Sequence, residues 1–221
     1  MTRAVIIANG RVRPSAALRD LVAQADLLIC ADGGLRHARA LRRAPQIVVG
    51  DFDSAPAALT AWARRHGAEF VRYPPAKDKT DTELALEAAI ARGAQEVDFI
   101  AVGGGRPDHA LANLLLLVTA RRGGARAWIH DGRALIFLID SGQPLPARRG
   151  DVLSLISLTE TSEGISTAGL RYPLADGTLT LGSSLGISNE VVSTPATVSV
   201  RTGLLVAFLV RVLDLRLESS I

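Results

Sequence analysis

Cysteine is nearly missing from this chain. Cys30 is the only one in 221 residues, so neither a disulfide nor a cysteine zinc site can form within one chain. It lies in an apolar run and reads as a small core residue rather than a nucleophile. Lysine is almost as scarce: 23 of the 25 basic residues are arginines, and the two lysines, Lys77 and Lys79, flank Asp78. Long apolar runs are absent as well. LLLLV at 114–118 is bounded by polar residues, and a membrane span needs about 20 apolar residues. The opening MTRAVIIANG is too short in its apolar part for a secretory signal. A cytoplasmic protein is expected. The formal net charge is only +3, with arginines scattered and no basic stripe interleaved with aromatics, which argues against a nucleic-acid surface. Neither GxGxxG nor GxxxxGK[ST] occurs.

What is present is a regular alternation over the first two-thirds. RAVIIAN (3–9), LLICAD (27–32), QIVVGDFD (46–53), EFVRY (69–73), VDFIAVGGG (97–105) and RAWIHD (126–131) read as strands. Between them lie helical stretches: AALRDLVAQA with Ser15 as cap, LRHARALRR, AALTAWARRHG with Pro56 in its first turn, TDTELALEAAIARG capped by Thr80 or Asp81, and DHALANLLLLVTARR. Strand and helix in turn predict a parallel-sheet α/β (Rossmann-like) domain. Beyond the Pro/Gly-rich SGQPLPARRGD (141–151), VLSLISL, GTLTLG, ATVSVRTG and LLVAFLVRVLDLRL carry no helical period. They predict a smaller all-β sandwich or barrel. The expected division is 1–140 and 141–221, although RALIFLID (133–140) suits either part.

Polar clusters fall just after the strands, at the edge where open α/β sheets bind ligands. GDFDSAP (50–56) projects Asp51 and Asp53 from a strand end. Residues i and i+2 of a strand point the same way, and like charges so placed repel unless a cation lies between them. Two such carboxylates suit Mg²⁺. Capping of the next helix by Asp53 or Ser54 accounts for one acid but not both. In KDKTDTE (77–83), Asp78 and Asp81 sit at a helix start, and Lys77 and Lys79 suit phosphate oxygens as compact point charges. A solvated capping box, with Thr80 as cap and Glu83 at its third position, explains this segment equally well by itself. GGGRPDHALAN (103–113) offers glycines for close backbone approach, Arg106 as a phosphate fork and a helix amino end. Asp108 is expected to cap that helix with His109 hydrogen-bonded, and a general-base role for His109 is the alternative. His37, His66 and His130 are read as structural. SSLGISNE (183–190) is expected to be a polar loop whose Asn189 and Glu190 read a small ligand.

Six motifs together carry a resemblance. DGG (32–34), GDFDS (50–54), KDKTDTELAL (77–86), GGRPDHALAN (104–113), LRYPL (170–174) and GISNE (186–190) stand in the order found in bacterial-type thiamine pyrophosphokinases. The resemblance implies a homodimer with both subunits contributing to the active site, using Mg²⁺ and ATP to convert thiamine to thiamine diphosphate with release of AMP. It implies an acidic metal and phosphate centre of Asp51, Asp53, Asp78 and Asp81, with Arg106 and Asp108 as active-site groups. Asp32, Gly33 and Gly34 would line the nucleotide side. By position in the motifs, Ser54, Lys77, Lys79, Thr80, Gly104, Gly105, His109 and Asn113 would join them. Ser188 and Asn189 would meet thiamine, as would Tyr172, which stands where some eukaryotic relatives carry Trp. Pro107 replaces an aliphatic residue common in the family. Two other readings share the scaffold: a pyrophosphokinase acting on a hydroxymethylpterin, and a nucleotide or thiamine sensor without catalysis.

Overall fold

The computed structural model describes residues 1–52, 55–132 and 134–211, which fall into two units, Met1–Gly132 and Arg133–Ile221. The first unit runs β1 (Thr2–Ile7), α1 (Ala16–Ala23), β2 (Leu27–Ala31), a single turn at Asp32–Gly34, α2 (Leu35–Ala40), β3 (Ile47–Gly50), α3 (Ala57–Arg65), β4 (Glu69–Arg72), α4 (Asp81–Ala91), β5 (Ala94–Ile100), α5 (Pro107–Arg122) and β6 (Arg126–His130). Its strands lie in the order β6-β5-β1-β2-β3-β4, and every pairing is parallel.

That order follows from patterning. AVII of β1, LLICA of β2 and IVV of β3 are continuously apolar, as strands covered on both faces must be. Val5, Ile7, Leu28, Cys30 and Val48 face a core shared with Leu18 and Val22 of α1, Leu35 and Ala38 of α2, and Trp62 of α3. Residues between them, such as Ala4, Ile6 and Ile29, are buried on the opposite face. There α4 packs on β1, β2, β3 and β5, with α5 beside it on β6. Each fully buried Val, Leu or Ile side chain among them is worth about 1.5–3 kcal/mol. Burial also pushes the Cys30 thiol up, which keeps it inert.

Local chemistry sets the helix ends. Ser15 accepts from the Leu18 amide and caps α1. At its other end, Arg43 donates to the carbonyls of Val22, Ala23 and Ala25, satisfying groups the helix leaves over. Thr80 caps α4 by accepting from Glu83 N–H at 3.2 Å. Three expectations need correction. Pro56 is the residue before α3 rather than its first turn. α2 stops at Ala40, because Arg42 turns left-handed at φ +64°. Asp108 does not cap α5: Arg106 occupies that position, without a side-chain cap, and Pro107 opens the helix.

The second unit comprises β7 (Ala134–Leu138), β8 (Val152–Ser157), β9 (Thr161–Ala168), β10 (Gly177–Thr180), β11 (Asn189–Glu190), β12 (Thr197–Ser199) and β13 (Leu205–Val210). Among the described residues these make two antiparallel sheets, ordered β11-β8-β13-β7 and β10-β9-β12. The segment 134–138 thus pairs with β13, in the second unit. β8 buries Leu153, Leu155 and Ser157 in strict alternation. β9 is a strand although its residues, TSEGISTA, are mostly polar and small and carry no strand pattern of their own. Its Gly164, at φ +68°, is the extra residue of a bulge, since Ile165 and Glu163 pair with the adjacent Gly177 and Thr178. GISNE is not all loop either, because Asn189 and Glu190 pair with β8. The expected strand residues 212–217 lie outside the described residues. No described helix is long and apolar enough to cross a membrane.

Candidate active site

The chain leaves β1 toward β2 on one side and returns to pair β5 on the other, so the strand order reverses between β1 and β5. At such a reversal the connections diverge and leave a crevice beyond the strand carboxyl ends. A cleft of about 800 Å³ occupies it, within the range of small-molecule sites. Five strand exits line it: Ala8–Gly10 after β1, Ala31 and Asp32 at the end of β2, Asp51 after β3, Pro75 and residues 77–82 after β4 with Asp78 and Asp81, and Val102, Gly103, Gly105 and Arg106 after β5. His109 and Asn113 of α5 complete the wall. The amino ends of α4 and α5 both open on it, a setting that favours anions.

Charges of both signs are interleaved here. Lys77 Nζ lies 2.8 Å from Asp81 Oδ1, as an ion pair. Lys79 turns to Glu87. Arg106 and Asp108 hold each other by two hydrogen bonds, Nη2–Oδ2 at 2.5 Å and Nε–Oδ1 at 3.2 Å. The guanidinium first, then the His109 amide, hold the Asp108 carboxyl down at about 2. Asn113, buried, donates from Nδ2 to the Val102 carbonyl at 2.9 Å and ties α5 to the exit of β5.

Gly33, Gly34 and Gly104 are not among the residues lining the cleft. A Cβ on Gly34 would sit 2.2 Å from the Ile7 carbonyl oxygen, and one on Gly33 2.4 Å from Asn9 Oδ1. These glycines let protein pack on protein. Asp53 and Ser54 lie outside the described residues. Tyr172, Ser188 and Asn189 belong to the second unit, where Asn189 accepts from Tyr172 N–H at 3.0 Å and donates to its carbonyl at 2.7 Å. The Tyr172 ring is left exposed. Ser188 is left-handed at φ +60°, and its amide donates to Ser154 Oγ.

Asn9 and Gly10 line the cleft as well, and their signal in the sequence is no more than an Asn-Gly turn directly after the first strand. Gly10 N–H donates to Ala101 O and Arg11 N–H to Gly103 O, zipping this exit to that of β5. Arg36 donates to the carbonyls of Asn9 and Gly10, and His37 Nε2–H to that of Gly10 at 2.8 Å. Burial holds the His37 pKa below its ordinary value despite that bond. His66 meets the Trp62 carbonyl, and His130 the buried Asp98, away from the cleft.

Comparison with known proteins gives matches over both parts of the chain. Residues 18–129 match the family profile described as thiamin pyrophosphokinase, catalytic domain, and residues 143–205 that described as thiamin pyrophosphokinase, vitamin B1 binding domain. A thiamine pyrophosphokinase of Bacillus subtilis (strain 168) is 29% identical over 164 residues, covering 73% of this chain and 77% of the relative. Thiamine pyrophosphokinase 1 of Oryza sativa subsp. japonica is 26% identical over 214 residues, covering 85% and 80%. The crystal structure of thiamine pyrophosphokinase from Bacillus subtilis superposes with a TM-score of 0.83 at 26% identity, covering 95% of this chain and 99% of that one.

Proposed function

The chain belongs to the thiamin pyrophosphokinase family, and on that premise we propose that the cleft at the β1/β5 reversal binds ATP with Mg²⁺. The enzyme transfers the diphosphoryl group of ATP to the hydroxyl of thiamine, giving thiamine diphosphate and AMP. The observation that carries the site assignment is the convergence of five strand exits, with acids and cations interleaved, on one cleft. The match of residues 143–205 to a vitamin B1 binding domain favours thiamine over a pterin as acceptor.

The donor set fits the metal. Asp51, Asp78 and Asp81 line the cleft with hard oxygen donors, and Mg²⁺ is typically held by one or two carboxylates, with phosphates and water filling the rest. We assign Asp53 to the same centre from its place in the motif. Bound there, Mg²⁺ supplies charge neutralisation on the phosphate oxygens.

The chain's own residues align and neutralise. Lys77, Lys79 and Arg106 meet phosphate oxygens, and the amides at the starts of α4 and α5 add donors. Asp32, Thr80, Gly105, His109 and Asn113 form the nucleotide side. Asp78 or Asp81 accepts the proton of the attacking hydroxyl. Tyr172, Ser188 and Asn189 contact thiamine, supported by their place within the matched vitamin B1 binding region. A homodimer and a cytoplasmic location complete the proposal, to be checked by analytical ultracentrifugation and cell fractionation. A monomer that turns over at full rate, or a membrane-bound fraction, would count against them.

Phosphorus NMR of the protein with ATP, Mg²⁺ and thiamine tests the reaction. AMP and thiamine diphosphate are expected together; ADP with thiamine monophosphate would overturn diphosphoryl transfer. For the metal centre, Asp53→Ala is expected to lose nearly all turnover while remaining folded, and a folded, active variant would remove Asp53 from it.

A further inference from the structure

We propose that Phe52 is a positioning residue, whose half-buried ring, packed against the core, holds the Asp51 carboxylate at the cleft. This rests on the reading that Asp51 serves the Mg²⁺ and ATP site. The backbone here is unusual twice over. β3 ends at Gly50, whose φ of +153° suits only glycine, and Phe52 follows at φ +65°. A left-handed aromatic is costly, and glycine would adopt this conformation freely. The chain nevertheless carries a bulky aromatic side chain there.

The ring accounts for that choice. Phe52 packs against the core formed by α1, α2, α3 and the sheet. It meets Phe70 of β4 edge-on, with centroids 5.1 Å apart and planes at 71°. The Arg72 guanidinium stands 5.8 Å from the Phe52 centroid. Edge-to-face rings and a cation over an aromatic face are both favourable, so the ring sustains a turn its own backbone resists. On the other side of Asp51, a Cβ on Gly50 would lie 3.1 Å from Asp32 Cβ, so β3 is seated against the β2 exit. Asp51 is thus held between a glycine pressed on Asp32 and an aromatic packed against the core.

The test measures Mn²⁺ binding by EPR, in the presence of a non-hydrolysable ATP analogue, for the wild type, Asp51→Asn, Phe52→Gly and Phe52→Leu, with thermal melting of each. Phe52→Gly relieves the backbone and removes the anchor, whereas Phe52→Leu keeps an apolar anchor. The expected result is a loss of Mn²⁺ affinity of about 10–100-fold in Phe52→Gly, the scale seen when groups supporting metal ligands are removed, with substantial recovery in Phe52→Leu. Lowered melting with unchanged Mn²⁺ affinity in both Phe52 variants, while Asp51→Asn weakens binding, would make Phe52 a core filler and overturn the proposal alone. Unchanged binding in Asp51→Asn would overturn the metal reading and the proposal with it. Should Phe52→Gly not fold, Phe70→Leu, which keeps Phe52 and removes the edge-on contact together with the Arg64 cation over the Phe70 ring, takes its place with the same direction expected and the same result overturning it.

Discussion

Lys77 Nζ and Asp81 Oδ1 stand 2.8 Å apart across the start of α4, both side chains largely withdrawn from solvent. The pair sets one cation and one anion at the mouth of a helix whose amino end favours negative charge. With ATP bound, Lys77 is expected to face phosphate and Asp81 the metal or the attacking hydroxyl. Asp81→Asn should lower kcat by about 10²–10³-fold. Lys77→Met should raise KM for ATP more than it lowers kcat. Initial rates of AMP release separate the two, and a normal kcat in Asp81→Asn would remove it from the chemistry.

Arg106 and Asp108 neutralise each other on the cleft rim, both side chains exposed. Exposed pairs contribute little to stability, so Arg106→Ala is expected to leave the melting temperature unchanged while weakening kcat/KM for ATP by about 10²-fold. Since the Asp108 carboxyl is depressed to about 2, the pair's small stabilisation is complete above the ordinary carboxylate range and vanishes only as the pH falls through about 2. A melting temperature that drops in Arg106→Ala at neutral pH would show the pair to be structural.

Asp98 of β5 is buried and receives Arg3 Nε and His130 Nε2, each at 2.6 Å. Burial pushes its carboxyl up, but the bonds from His130 and Arg3 together outweigh it and hold the group below its ordinary 3.8. Its stabilisation is therefore complete above that value and is lost as acidification passes the lower folded-state value. Asp98→Ala should cost about 3 kcal/mol, the low end for a broken buried pair, because about a third of the Arg3 side chain stays exposed (34%). Urea denaturation at pH 7 checks the cost, and repetition toward pH 3 should show the wild type approaching the variant.

Two glycines of the cleft make opposite predictions. A Cβ on Gly10 would lie 2.3 Å from Gly103 O and 2.4 Å from Ala101 O, both rigid backbone, while one on Gly105 meets nothing within 4 Å. Gly10→Ala should part the β1 and β5 exits, lowering both melting temperature and ATP affinity. Gly105→Ala should leave stability near wild type. Calorimetry of ATP binding and thermal melting on both variants decide the matter; equal behaviour would mean the exits are not rigidly zipped.

Asn113 should act through Val102 rather than on stability alone. Asn113→Leu leaves the Val102 carbonyl without its buried donor, at a cost of about 1–3 kcal/mol. KM for ATP is expected to rise as the loop of residues 103–106 loosens. An unchanged KM in the folded variant would confine Asn113 to the core.

The sequence alone determined the alternating elements of the first unit, because strand runs, helix caps and breakers act over a few neighbouring residues. Ser15 and Thr80 cap as their chemistry requires, and the acidic and glycine clusters after the strands marked the carboxyl edge before any strand order was known. Two strands are not legible in the sequence. β9 is stabilised by its partners rather than by its own polar composition, and β11 has only two residues. What the tertiary structure alone decided is non-local. The reversal between β1 and β5 brings Asn9 and Gly10 into the cleft, and the sheet joins Arg3, Asp98 and His130 from three strands. Packing explains why Gly33 and Gly34 are glycines and why Phe52 is turned back against the core. A chain encodes such contacts only through the order in which its strands pair, and that order is set by burial across the whole sheet rather than by any one segment.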